Sequence, residues 1–194
     1  VTTLLQGTTH GPIDDLREVN GVVFFTASDN AHGREVWRTD GTPAGTKLVR
    51  DIQPPVNDPF QYSGPASLTV AGNGLGANLY FTADDVVHGR ELWTVQSPFA
   101  RSKDITISPG TKSFKMSSAG SFDRDPAEKL TFRWDLDDDG IFGETGIGAK
   151  NGDELGREPT FKTNGVQSSR VVRLQTVNQQ GLRSKIATAT IRIA

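Results

Sequence analysis

The 194-residue sequence contains no cysteine, a single methionine and only two tyrosines. Without cysteine there can be no disulfide, no thiolate metal site and no thiol nucleophile. The compartment stays open, because oxidising compartments permit disulfides without requiring them. Long hydrophobic runs are also missing. The longest are of the kind seen at 21–25, GVVFF, far short of the ~20 apolar residues a membrane-crossing helix needs. Charge of one sign is not in excess either, with 21 Lys and Arg against 23 Asp and Glu. A balanced chain has no basic field, and no Lys/Arg cluster alternates with aromatics, so nucleic acid is not an expected partner. No secretory leader is visible: residue 1 is Val and the first ten residues read as polar. The chain is therefore expected to be a processed product or a piece of a longer one.

What is present in quantity is punctuation. Twenty-one glycines and ten prolines in a chain that is 35% hydrophobic suit a β-protein with many turns, and the length suits two domains of ordinary size. The first half repeats itself. FFTASDNAHGREVWRT (24–39) and YFTADDVVHGRELWTV (80–95) agree at nine of sixteen positions, 56 residues apart. Each copy opens on a β-type run (Val22–Thr26, Leu79–Thr82), turns at Asp-rich residues into His-Gly, and resumes as an alternating run around Trp37 or Trp93. After the first copy, Asp40-Gly41 and Pro43–Gly45 are turn signals, and Thr46–Ile52 alternates as a further strand. Each repeat should hold three or four strands, the content of a propeller blade or solenoid coil.

The stretch HGREVWRTDGTPAGTKLVRDI (32–52), with its partial echo FTADDVVHGRELWTV (81–95), resembles the ELWxTDGTxxGTxLVxDI repeats of large bacterial surface and secreted proteins. That resemblance implies a propeller-blade-like β-repeat domain over 1–96. The second copy lacks the DGT-GT segment and reads as a truncated terminal repeat. A polar linker is expected at 97–103. Beyond it, KDITISPG, SFKMSSAGSFDRDPAEK, LTFRWDLDDDG and SSRVVRLQTVNQQGLRSKIATATIRI read as six or seven strands with no helical periodicity, which suggests a two-sheet sandwich of the immunoglobulin-like class. Residues 118–194 further resemble a PKD domain through SAGSFDRDPAEKLTFRWDLDDDG, PTF, VVRLQTVNQQG and IATATIRI. They depart from that family at Asn178, where Asp is usual, and in an insertion over 145–158. The expected fold is thus all-β, with a β-repeat half followed by a PKD-type sandwich over 104–194.

The acidic run WDLDDDGIFGE (134–144) raises the question of calcium. Asp135, Asp137, Asp139 and Gly140 reproduce the spacing of EF-hand loop positions 1, 3, 5 and 6, but position 12, where a glutamate should close the site, is Gly146. Glu144 falls at position 10, and no helical segment flanks the loop, so an EF-hand is rejected. A calcium site of another kind remains open. Its candidate ligands are Asp135, Asp137, Asp139 and Glu144, joined by Asp123 and Asp125 of the preceding loop if the two loops meet. The alternative is that these aspartates cap turns through backbone amides and otherwise face water.

His32 and His88 recur with Glu35 and Glu91 and with Trp37 and Trp93. Catalytic sites are usually single, whereas a residue recurring in every repeat normally performs the same structural task in each, so these six are read as repeat-structural. The segments at 72–76 (GNGLG) and 146–152 (GIGAKNG) lack the helix a phosphate loop requires. The expectation is a non-enzymatic segment of an extracellular or cell-surface bacterial protein, acting beside other domains of its parent in adhesion, spacing or binding of a protein or polysaccharide. An accessory polysaccharide-binding module of a secreted degradative enzyme is the rival. A row of exposed aromatics drawn from Trp37, Trp93, Trp134, Tyr62 and Tyr80 would favour it.

Overall fold

Turn chemistry and alternation account for the first unit. In the computed structural model, which describes residues 3–4, 11–54, 62–164 and 168–194, strands β1 (Asp14–Val19), β2 (Val22–Asp29), β3 (Gly33–Thr39) and β4 (Lys47–Leu48) form an antiparallel meander. Asn20 and Gly21 both take positive φ (57° and 84°), the geometry that lets a two-residue turn follow the twist of its strands. The second copy forms a separate antiparallel sheet of β5 (Ala66–Ala71), β6 (Asn78–Asp85) and β7 (Gly89–Val95). It lacks a fourth strand because the chain after Trp93 has no DGT-GT segment to supply one. Among the described residues the two sheets close neither a barrel nor a propeller. They share one core instead.

The way they share it departs from the repeat in sequence. In the first sheet Val22, Phe24 and Val36 point into the shared core, while Phe25, Ala27 and Trp37 lie on the other face in a smaller cluster with Leu48. In the second sheet the equivalents of that other face, Phe81, Ala83 and Trp93, enter the shared core. Equivalent residues therefore occupy opposite sides of the packing, and Leu92, the counterpart of buried Val36, is 71% exposed.

The chain separates into two compact units, Val1–Gln96 with Gln180–Leu182, and Ser97–Gln179 with Arg183–Ala194. Residues 97–103, expected as a linker, belong to the second unit. Phe99 bridges Phe122 with paired backbone bonds of 2.8 and 3.0 Å, their rings stack at 4.9 Å, and Arg101 N donates to Ser121 Oγ. The apolar Phe99 in an otherwise polar stretch was the residue that could tie it down.

In this unit β10 (Thr131–Asp135), β12 (Arg170–Val177), β13 (Ala187–Ile193) and β8 (Ile105–Ile107) make one sheet in that order. The last pair is parallel and the others antiparallel. A second sheet pairs β9 (Ser113–Lys115) with β11 (Thr160–Lys162). Phe132, Trp134, Leu174 and Ile191 of the first sheet share a core with Phe161 of the second, giving the two-sheet sandwich expected of this half. The 145–158 insertion is part of the framework. Trp134 N donates to Glu154 O at 2.8 Å, Gly156 N to Phe132 O at 3.1 Å, and Arg133 bridges Leu155, so 154–156 runs antiparallel along the outer edge of β10. Gly152 is required there, because a Cβ would sit 2.1 Å from Thr160 O.

Candidate metal centre

The strand β10 ends at Asp135, where the chain leaves the sheet and curls back. Asp138 and Gly140 take positive φ (65° and 87°), and Gly143 N returns to Trp134 O at 2.8 Å. This curl turns Asp135, Asp137 and Asp139 towards one another, with one oxygen of each within 4.8 Å of the others. A second triad with the same spread joins Asp137 to Glu144 and Glu154.

Glu154, which sequence reasoning did not select, anchors the site. Its side chain is fully buried and accepts three backbone amides, from Leu136 (2.6 Å), Gly143 (3.1 Å) and Glu144 (3.2 Å). Burial raises its pKa to about 7. The Leu136 and Glu144 amides work in the opposite direction, and the charges of Asp135 and Asp137 add to the rise. Glu144 is also raised, first by burial and then by the charges of Asp139 and Asp137. Carboxylates facing carboxylates thus add to what burial begins.

The cations nearby are few. Arg173 Nη1 bonds Asp135 Oδ2 at 3.2 Å and also Asp138, and Lys150 Nζ lies 3.9 Å from Asp137 Oδ2 with most of its side chain in water. Asp135 Oδ1, both oxygens of Asp137 and Glu144 Oε2 are buried without a hydrogen-bond partner, although the Asp137 side chain is only 3% exposed. Buried carboxylate oxygens are normally satisfied, because leaving a charged acceptor dry costs several kcal/mol. An all-oxygen, all-carboxylate donor set of this kind fits a hard divalent cation of calcium type.

Asp123 and Asp125 do not join it. Asp123 Oδ1 accepts Asp125 N (3.0 Å) and Oδ2 accepts Asn178 Nδ2 (3.1 Å), while Asp125 Oδ1 accepts Ala127 N (2.9 Å). The reason is topological. These residues precede β10 and the acidic curl follows it, so five extended residues, about 13 Å of strand, keep the loops at opposite ends of the sheet. Asn178 follows β12, which runs antiparallel to β10, and so lies at the Asp123 end. There it donates to a carboxylate where an aspartate would have repelled it.

The repeat residues lie elsewhere, in the first unit. His32 Nδ1 is 2.8 Å from Asp29 Oδ2 and His88 Nδ1 is 3.0 Å from Asp85 Oδ2, while the other oxygen of each aspartate accepts the histidine's own amide. In both copies a carboxylate and imidazole hold the turn between the long strands. The His88 bond holds Asp85 at about 2 and raises His88 above its ordinary range. Asp85→Ala is therefore expected to move the His88 titration down towards the value of a free imidazole, read by NMR. An unshifted titration would show that the pair does not form. Glu91, exposed, stands with Asp85 and His88 in a third cluster of ligand-type atoms. Its counterpart Glu35 is fully buried, so the first copy has no equivalent cluster.

The five tryptophans and tyrosines form no exposed row. Trp37 and Trp134 are buried, Trp93 packs against the shared core and donates to Ala83 O, and Tyr80 is half-buried, which leaves Tyr62 as the exposed member of the five.

No family model and no curated protein matches the chain. Solved structures align with it at a distance. The fibronectin(III)-like modules of Clostridium thermocellum CbhA cover 90% of this chain and 86% of their own at 10% identity, with a TM-score of 0.34. The N-terminal Ig1-2 module of the Drosophila receptor protein tyrosine phosphatase DLAR covers 90% and 92% at 11% identity, with a TM-score of 0.30. The tandem Ig repeats of Dlar cover 91% and 92% at 10% identity, with a TM-score of 0.29. At TM-scores this low these likenesses assign the chain to no family and no ligand.

Proposed function

We propose that the chain is a non-catalytic structural and binding segment of a secreted or cell-surface bacterial protein. Its second unit is a PKD-type sandwich held at one corner by calcium. The observation that carries the calcium reading is the set of buried carboxylate oxygens without partners on Asp135, Asp137 and Glu144, facing one another where a cation would sit. The non-catalytic reading draws support from the repeated His–Asp pairs, each occupied in holding a turn. Placement outside the cell, and a role in adhesion or spacing beside other domains, follow from the resemblance of the 32–52 stretch to bacterial surface repeats. A calcium-dependent corner suits a compartment where that ion is plentiful. The polysaccharide-binding rival is weakened by the burial of Trp37 and Trp134, while Tyr62 is exposed and Trp93 and Tyr80 are half-buried.

The test is thermal unfolding in calcium and in EDTA. Calcium at a hundredfold its Kd stabilises a folded state by about 2.7 kcal/mol. At roughly 4–8 °C per kcal/mol for a unit of this size, the second unit's transition should fall by about 10 °C or more in EDTA. Asp137→Ala should melt at one temperature in both solutions. Identical transitions for the unaltered chain with and without calcium would overturn the reading.

A further inference from the structure

Resting on the calcium reading above, we propose that the acidic corner holds two calcium ions, with Asp137 shared between them. Calcium lies about 2.3–2.6 Å from each ligand oxygen, so two ligands of one ion are at most about 5 Å apart. The carboxylates meet that spread as two triads, Asp135–Asp137–Asp139 and Asp137–Glu144–Glu154, which have Asp137 alone in common. The first is built from alternate residues of the curl. The second is built across the base of the curl, from its far end and from the insertion that runs along β10.

Asp137 is equipped to be common to both. Its side chain is 3% exposed and neither oxygen has a hydrogen-bond partner, the Lys150 ammonium standing 3.9 Å from Oδ2, so each oxygen keeps its lone pairs for a different ion. Each triad also brings a second unpartnered buried oxygen of its own, Asp135 Oδ1 in one and Glu144 Oε2 in the other. Glu154 accepts amides at both oxygens, yet a carboxylate has about four lone-pair sites and keeps capacity for a cation.

Charge favours the same count. The five carboxylates carry −5 when ionised. One divalent ion leaves a net −3 in a corner where Asp135 and Glu154 are buried, Asp137 and Glu144 half-buried and Asp139 exposed, whereas two leave −1, a residue that Arg173 and Lys150 at its margin can balance. An uncompensated buried charge is expensive enough to make the second ion the better solution.

Equilibrium dialysis of the whole chain against radioactive calcium at pH 8 reads the number directly. Two ions per chain are expected at saturation. Asp139→Asn and Glu144→Gln should each retain one, and Asp137→Asn should weaken both by at least tenfold, with far-UV circular dichroism unchanged in all three. A saturating value of one ion for the unaltered chain overturns the shared site and leaves the calcium reading standing. A value of zero removes the calcium reading as well. If Asp139→Asn or Glu144→Gln keeps two ions, or loses both, the assignment of one triad to each ion is wrong.

Discussion

Glu154→Ala is expected to destabilise the second unit by about 3–5 kcal/mol, because the substitution removes the acceptor of the Leu136 and Glu144 amides and one of the two acceptors of Gly143 N, which keeps Trp134 O. The lost bonds are not replaceable by water without opening the curl, since Leu136 and the Glu154 side chain are both fully buried. Part of the loss is offset, because ionised Glu154 is itself strained by burial and by the charges of Asp135 and Asp137. Glu154→Gln separates the two effects. It keeps one acceptor oxygen, relieves the repulsion, but turns an NH2 towards amides that need an acceptor, so an intermediate loss is expected. Urea unfolding gives the size, and hydrogen exchange over 134–144 gives the place. An unchanged midpoint together with unchanged protection in that stretch would show that Glu154 does not hold the curl.

The second large effect lies in the first unit. Glu35 is fully buried, and burial lifts its pKa from 4.5 to about 7. The Ser63 hydroxyl and the amides of Gln53 and Ile52 oppose the rise, and the charge of Asp51 adds to it. Between those two values the folded chain holds a proton that the unfolded chain has released. Stability therefore falls as pH rises from about 4.5 to 7 and levels off above that, by about 3 kcal/mol in all. Glu35→Gln removes the titration while keeping the shape. It should match the unaltered chain near pH 4.5 and exceed it by up to about 3 kcal/mol at pH 8, measured in EDTA. Glu91→Gln, at the exposed counterpart, should change neither value. Parallel pH profiles for Glu35→Gln and the unaltered chain would show that Glu35 is not buried as a proton-holding acid.

How far such features could be read beforehand depends on whether they are local. The strands around Phe25, Phe81 and Trp134 follow from alternation, and the Asx turns at Asp29 and Asp85 follow from their own next three residues. The inward parity of Phe132 and Trp134 is of the same kind, since a strand fixes it without reference to the rest of the chain. The site's membership was not local. Asp123 looked close to the acidic run in sequence, yet a strand between them carries the two loops to opposite ends. A simple rule, that loops before and after one strand do not meet, would have excluded it. Glu154 was hidden for the opposite reason. It lies in the stretch that breaks the PKD resemblance, and only the backbone bonds of 154–156 to β10 bring it beneath the curl. Its one signal was an acidic residue within an insertion that directly follows an acidic loop. The difference between Glu35 and Glu91 was invisible for a third reason: identical residues in a repeat suggest identical surroundings.

That suggestion holds for the Asp–His turns but fails for the strands of the first unit, with a consequence for how the two copies age. Phe25 and Phe81 are the same amino acid at the same point of the repeat, but one rests against Leu48 and the other against the neighbouring sheet. Val36 and Leu92 are near-synonyms, yet one fills the core and the other meets water. Each copy is therefore tolerant of different replacements, and a consensus averaged over both would import into position 92 a hydrophobic demand that only position 36 imposes.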